Sequence, residues 1–449
     1  MRLLYSLAWL AVLPIAFLYL LWRARRQPEY LRHWPERLGW APIRKAQPRL
    51  WIHAVSVGET RAAAPLISAW RGRHPDCAIL LTHATPTGRE TGKTLFGNTV
   101  EQAYLPYDFP PLAWLFLQRA RPSMGVIMET EVWPNLFAAC TDHKVPLFLV
   151  NARLSERSAR GYARFRSLAA PALRRLNGVA AQTTDDAERF TTLGAPRVVI
   201  TGNLKFDVSA PNETAQCTQE LRRLFAGRFV WLAASTREGE EALLLSILDR
   251  LDRPDVLLVL VPRHPQRFEE IARLIAARKH PWAQRSKPGD SDKDQRISVF
   301  LGDSMGEMAA YYAAADVAYI GGSLLPFGGQ NLIEAAAAGC PALIGPHTWN
   351  FNEAAAEAVA VGAARRVADS DELEADLRLL HDDAQSREAM AAAGRRFAEI
   401  NRGATERTLE LLEAAWPEGR RNQKTTGLLI RPANSIKRHT SREGPGNRF

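Results

Sequence analysis

The chain has 449 residues, of which 46% are hydrophobic and 24% charged, with a formal net charge of +10. That length exceeds one ordinary core, so two domains are expected, and the composition excludes a disordered or fibrous chain. The positive balance favours anionic partners: nucleic acid, an acidic membrane surface or phosphorylated substrates.

The first element is apolar. Leu3 to Trp22 carry no charge, and about 20 such residues cross a bilayer core as a helix. Only Arg2 precedes the run, whereas Arg23, Arg25 and Arg26 follow it, the reverse of a cleaved signal peptide. Residues 3–22 therefore read as a transmembrane anchor that leaves the rest of the chain in the cytoplasm. A core helix or one lying in the interface is the competing reading. Residues 23–49, with Arg32, His33, Trp34, Arg37 and Trp40, suit a headgroup layer or an ordinary solvated lead-in.

From Leu50 onward, apolar runs of strand length alternate with helical patterns. LWIHAVSV, CAILLTHA, EQAYLPY, GVIMET, VPLFLVNA, GVAAQT and RVVITG read as strands up to about residue 210. After a polar stretch the pattern restarts with VWLAAS, VLLVLVP, ISVFLG, VAYIGG and PALIG. Near-continuous apolar strands with helical crossovers mean parallel sheets covered on both faces. The expected fold is α/β, with two Rossmann-like, doubly wound halves over 50–210 and 211–416. Two such halves facing across a cleft suggest the GT-B arrangement, which nucleotide-sugar epimerases share. The basic, aperiodic residues 417–449 read as a disordered tail.

Chemistry-bearing residues fall at successive strand ends, where ligands of such sheets bind. In SVGET, Gly58 permits a turn and Glu59 opens a helix. Glu59 reads equally as a base for an acceptor hydroxyl or as a carboxylate complementing a helix dipole. METEVWPN places Glu129 and Glu131 two apart, on one side if the strand continues. TGNLKFD points Lys205 at the cleft, where it can neutralise a phosphate or sugar carboxylate, or else serve as a surface ion-pair partner. In the second half, Arg263 and His264 of PRHP can hold a phosphate or an anionic sugar. In GDSMGE, Asp303 or Ser304 caps a helix with Gly306 and Glu307 in its first turn. Gly328 and Gly329 precede a helix beginning near Asn331, which reads as an anion site or as a plain connecting turn, with Glu334 one turn in for a ribose hydroxyl pair. Asp290, Asp292 and Asp294 lie in a solvated loop without a calcium frame. Cys77, Cys140, Cys217 and Cys340 form no CxxC pair, which points to core thiols in a reducing compartment rather than a disulfide frame or zinc site.

SVGET, LPYD, METEVWPN, NARLSERS, TGNLKFD, STREGEE, PRHP, GDSMGEM and GGQNLIEAAAAGCPALIGPHTWNF occur in this order. Together they resemble the 3-deoxy-D-manno-octulosonic acid (Kdo) transferases of glycosyltransferase family 30, from the anchor to about Trp416. The resemblance implies a GT-B fold, CMP-Kdo as donor, the anionic lipid A precursor (lipid IVA) as acceptor, and inverting transfer without metal or other cofactor. It implies lipopolysaccharide core synthesis at the inner membrane, with membrane lipid rather than nucleic acid as a partner. It makes Glu59 the general base and gives Glu129 and Lys205 transition-state stabilisation. It assigns CMP binding to Arg263, His264, Met305, Gly306, Glu307, Asn331, Leu332, Ile333 and Glu334. The sequence departs from the family pattern at Gln330 and Arg237, where histidine is usual, and at Ile333 to Ala335. Arg61, Arg71 and Arg73 are candidates to receive lipid phosphates, or are simply solvated. An epimerase of the same architecture and a lipid-binding scaffold without activity are the rival readings.

Overall fold

The computed structural model describes residues 1–25, 27–207, 214–278, 280–287 and 297–416. Two parallel sheets of seven strands each form its two halves. The first contains β1 (Arg49–His53), β2 (Ala78–His83), β3 (Glu101–Tyr104), β4 (Met124–Met128), β5 (Leu147–Ala152), β6 (Gly178–Ala181) and β7 (Val198–Ile200), in the order 3-2-1-4-5-6-7. The second contains β8 (Phe229–Thr236), β9 (Val256–Pro262), β10 (Trp282–Gln284), β11 (Val299–Leu301), β12 (Val317–Ile320), β13 (Ala342–Ile344) and β14 (Ala364–Arg366), in the order 10-11-9-8-12-13-14. Every residue of β4, β5 and β9 is buried, as continuous apolar runs between two helical layers require. All the strands expected from the sequence are present. The edge strands β10 and β14 are additions: each has three residues, and Arg365 and Arg366 break the apolar pattern.

The strand order locates the site. In the first sheet the winding reverses between β1 and β4, which pair directly. In the second it reverses between β8 and β12, which also pair. Crevices open at the carboxyl ends of such strand pairs.

The last helix, Ala404–Glu413, returns to the first half. Its Leu409, Leu411 and Leu412, with Trp416, join Trp70, Phe148 and Ala180 in one apolar cluster. Trp416 meets Trp70 edge-on at 4.9 Å, and Arg73 pairs with Glu406 and Glu413. Arg73 is thereby committed to packing and is not a free receiver of lipid phosphate. The segment 211–416, expected as one unit, thus gives its last helix to the first half's core.

Helix α1 (Arg2–Ala24) is one apolar N-terminal helix that fits membrane association, with Leu3, Leu7, Leu10, Ile15 and Trp22 exposed. It also touches the first half: Ser6 donates to Asn135 at 2.9 Å, and Trp9 lies 5.9 Å from Tyr107. The four cysteines are free thiols. The tail and the Asp290, Asp292 and Asp294 run lie outside the described residues.

Candidate active site

At the end of β1 the chain turns into helix α2 (Val57–Arg73). Ser56 caps it by accepting from the Glu59 amide, and Glu59, at the third position, reaches back past the cap residue to Val55. The Glu59 carboxylate accepts from the Val55 amide at 2.8 Å and from the Ser56 hydroxyl at 3.0 Å. A carboxylate that only capped a helix would be held low by these donors. Instead burial, helped by the charges of Glu129 and Glu131, pushes Glu59 up to about 7. The hydrogen bonds fit the reading of Glu59 as a helix-start carboxylate, and the raised carboxyl is what the reading as a base requires.

Glu129 follows β4, the strand beside β1. Its φ of 55° ends the strand in left-handed backbone, an uncommon state for a non-glycine residue. The expectation that strand alternation would align Glu129 with Glu131 therefore fails, because the strand stops at Met128. Electrostatics still couple the two: burial, then Glu129, raises the Glu131 carboxyl. Lys205 closes the group. Asn151 at the end of β5 accepts from the Leu204 amide at 3.0 Å and so sets the Leu204–Asp207 turn. From that turn the Lys205 ammonium pairs with Glu129 at 3.2 Å. It also lies 5.1 Å from the ring centroid of Phe351 in the second half, so one cation spans the cleft.

The second half supplies cations. Arg263 follows β9; burial and the like charges of Arg61 and Arg237 depress its guanidinium, with Glu334 opposing. His264 is lowered by burial and by Arg237 and Arg263. Arg61 lies two residues beyond Glu59, so cations from both halves converge. Such an arrangement is costly without an anion to share. Arg237 was seen in the sequence only as a departure. Its guanidinium covers the Phe327 ring at 4.5 Å. Buried Glu240 organises the loop behind it, accepting from the Arg237 amide at 2.9 Å, the Gly322 amide at 2.7 Å and the Tyr319 hydroxyl at 2.5 Å.

Asn331 and Glu334 also belong here, joined by a 2.9 Å hydrogen bond. The helix that follows is Ile333–Ala338, two residues later than expected. Leu332 and Ile333 are buried in the apolar core, so their side chains do not face a ligand. The Met305–Glu307 turn differs in two ways. Helix Met308–Ala314 starts after it, and Asp303 accepts from the Ser286 amide at 2.8 Å instead of capping. Glu307 pairs with Arg285 at 2.8 Å, and this with Ser304 holds its carboxyl down at about 2. Met305 is exposed, and Tyr312 of the next helix donates to the Asn331 carbonyl at 3.4 Å. Among the described residues no cluster of His, Cys, Asp and Glu is arranged to hold a metal ion.

Two residues that hold this frame were not singled out from the sequence. Arg153 of NARLSERS crosses to the second half, donating to the carbonyls of Asn350 at 3.2 Å and Trp349 at 3.3 Å. Arg153→Ala is expected to let the halves open, with a larger radius of gyration by small-angle scattering and a stability change within about 0.5 kcal/mol. Arg267 makes two hydrogen bonds to buried Glu241, at 2.8 and 3.1 Å. Arg267→Ala strands that carboxylate and should cost about 3 kcal/mol in denaturant unfolding.

Comparison with known proteins accords with this geometry. The family described as 3-Deoxy-D-manno-octulosonic-acid transferase (kdotransferase) matches residues 32–208. A 3-deoxy-D-manno-octulosonic acid transferase of Bordetella pertussis is 44% identical over 424 residues, covering 91% of this chain and 98% of the relative. The Haemophilus influenzae protein of the same name is 37% identical, covering 86% and 92%. Among solved structures, a UDP-GlcNAc 2-epimerase from Neisseria meningitidis aligns over 81% of this chain and 99% of its own, with a TM-score of 0.56 and 15% identity, a likeness of fold alone. Identity sustained across both halves separates this chain from the epimerases that share its architecture: it belongs to the 3-deoxy-D-manno-octulosonic acid transferase family and is a glycosyltransferase that transfers Kdo.

Proposed function

We propose inverting, metal-independent transfer of Kdo from CMP-Kdo to the lipid A precursor lipid IVA. The observation that carries this reading is the neutral-range Glu59, beside the Glu129–Lys205 pair, with Arg61 on its own helix and Arg237 and Arg263 from the second half. Glu59 takes the proton of an acceptor sugar hydroxyl as its oxygen bonds to the anomeric carbon of Kdo. The bond from that carbon to the phosphate oxygen breaks, and CMP leaves with the electron pair. Attack opposite the leaving group inverts the centre. Lys205 and the arginine group answer the charge that develops on the departing phosphate. Arg263, His264 and Glu334, with Asn331 and the Met305–Glu307 turn, line the nucleotide side. The test is incubation with CMP-Kdo and lipid IVA, read by mass spectrometry. A product heavier than the acceptor by Kdo is expected; an isomerised nucleotide sugar without lipid product would overturn the reading in favour of an epimerase.

Helix α1 then anchors the enzyme at the inner membrane, with both halves in the cytoplasm, a reading supported by its length and by Arg23 and Arg25 at its inner end. A helix lying in the interface is favoured instead by the Ser6–Asn135 contact, which a full span would break. Protease digestion of an N-terminal tag in sealed spheroplasts decides: cleavage from outside means a span, and protection means an in-plane helix.

A further inference from the structure

The NARLSERS motif continues into a helix that no part of the site has used. Helix Glu156–Arg164 follows the carboxyl end of β5, the strand beside β4, and contains no buried residue. Its inward residues, Ala159 and Tyr162, lean on the first half's core. Glu131 helps to raise the Tyr162 phenol, so this helix borders the carboxylate end of the cleft. Arg157, Arg160 and Arg164 point the other way. At about 100° per residue they share a stripe about 60° wide. Arg160 meets Glu156 at only 3.6 Å, with both side chains exposed, and Arg157 and Arg164 have no ion-pair partner among the described residues. Phe165, which follows Arg164 at the end of the helix, is 62% exposed.

Three exposed guanidinium groups on one face, next to an exposed ring, match an anionic headgroup that carries an apolar tail. We infer that the Arg157, Arg160 and Arg164 stripe binds a phosphate of the lipid acceptor, with Phe165 against its acyl region. The inference rests on the proposed transfer to a phosphorylated glycolipid and deepens it. It also shifts acceptor recognition away from Arg73, which the last helix occupies. A bilayer of anionic lipid would offer similar charge. The start of the helix at the carboxyl end of β5, beside the β4 end that leads into Glu129, favours the acceptor, because the stripe then lies on the side of the first half where the sugar is attacked.

The experiment titrates full-length protein in neutral detergent micelles with bisphosphorylated diglucosamine lipid. The triple variant Arg157→Gln/Arg160→Gln/Arg164→Gln should bind this lipid at least about tenfold more weakly than the wild type. The corresponding triple lysine variant should retain most of the affinity. Binding of the dephosphorylated lipid, and of CMP by calorimetry, should be unchanged. In turnover, KM for the lipid should rise while kcat stays within twofold. Equal lipid affinity in the wild type and the glutamine variant would overturn the inference. So would an equal loss toward phosphatidylglycerol micelles, which would make the stripe a general membrane contact. Binding needs no transfer, so a wild type that binds lipid through these arginines without making product would sink the proposed reaction and leave the phosphate site standing.

Discussion

Glu59→Gln should leave a folded enzyme whose Kdo transfer falls about 10²- to 10⁴-fold, the usual worth of a positioned general base. Glutamine keeps one acceptor for the Val55 amide and the Ser56 hydroxyl, so the start of α2 should survive. The pH dependence gives a sharper test. With the carboxyl pushed up to about 7 by burial and by Glu129, the wild type should lose kcat/KM as pH falls through about 7. The variant's residual rate should lack that limb. Stability should move in the opposite sense. An acid whose pKa is raised on folding favours the folded state below its unfolded value and loses that contribution as pH rises through its folded value. Between about pH 4.5 and 7 the wild type should therefore weaken by up to about 3 kcal/mol from this group. Glu59→Gln should unfold at a higher denaturant concentration than the wild type at pH 8, with the gap closing near pH 5. A variant with near-normal turnover would remove Glu59 from the mechanism. A stability gap that ignored pH would remove the buried, ionised carboxylate.

Lys205→Met should cost about 10²- to 10³-fold in kcat, as loss of a fixed charge that stabilises developing negative charge does. The side chain has two ties, to Glu129 at 3.2 Å and to the face of Phe351 at 5.1 Å. Removing it leaves Glu129 unpaired next to Glu59. The extra negative charge should push the Glu59 carboxyl higher still, so the acid limb of kcat/KM should move to higher pH. A purely structural lysine would lower stability without moving that limb. Lys205→Arg keeps the charge and should recover part of the rate, with the limb returning towards the wild-type position. Unchanged kcat in the methionine variant would exclude Lys205 from the chemistry.

Much of the fold was legible because parallel strands buried on both faces must be apolar without interruption. Runs such as VLLVLVP, short, rich in β-branched Val and bounded by Pro, suit such strands. The edge strands β10 and β14 were not legible: three half-solvated residues carry no such pattern. The site was legible in part. Glu59, Glu129, Lys205 and Arg263 sit where strand ends place them, and the structure brings them to one cleft. Leu332 and Ile333 carry binding roles by resemblance, yet their side chains fill the core. Glu307, read as a first-turn residue, is held by Arg285, which lies 22 residues earlier in the chain. Arg153 was visible only as a letter within a motif and Arg237 only as a departure from the family pattern, because their partners come from distant segments.

Local order in the chain determined the strands, the apolar N-terminal helix and the residue types at each strand end. Each follows from periodicity, length and turn chemistry over a dozen residues or so. Tertiary structure alone decided which of those residues meet. It put β1 beside β4, so that burial and then the charge of Glu129 raise the Glu59 carboxyl. It carried Lys205 across to Phe351 and sent the last helix back to claim Arg73. Charge interactions and burial depend on distances through space, and residues 59, 129 and 205 are close only once the sheet has wound.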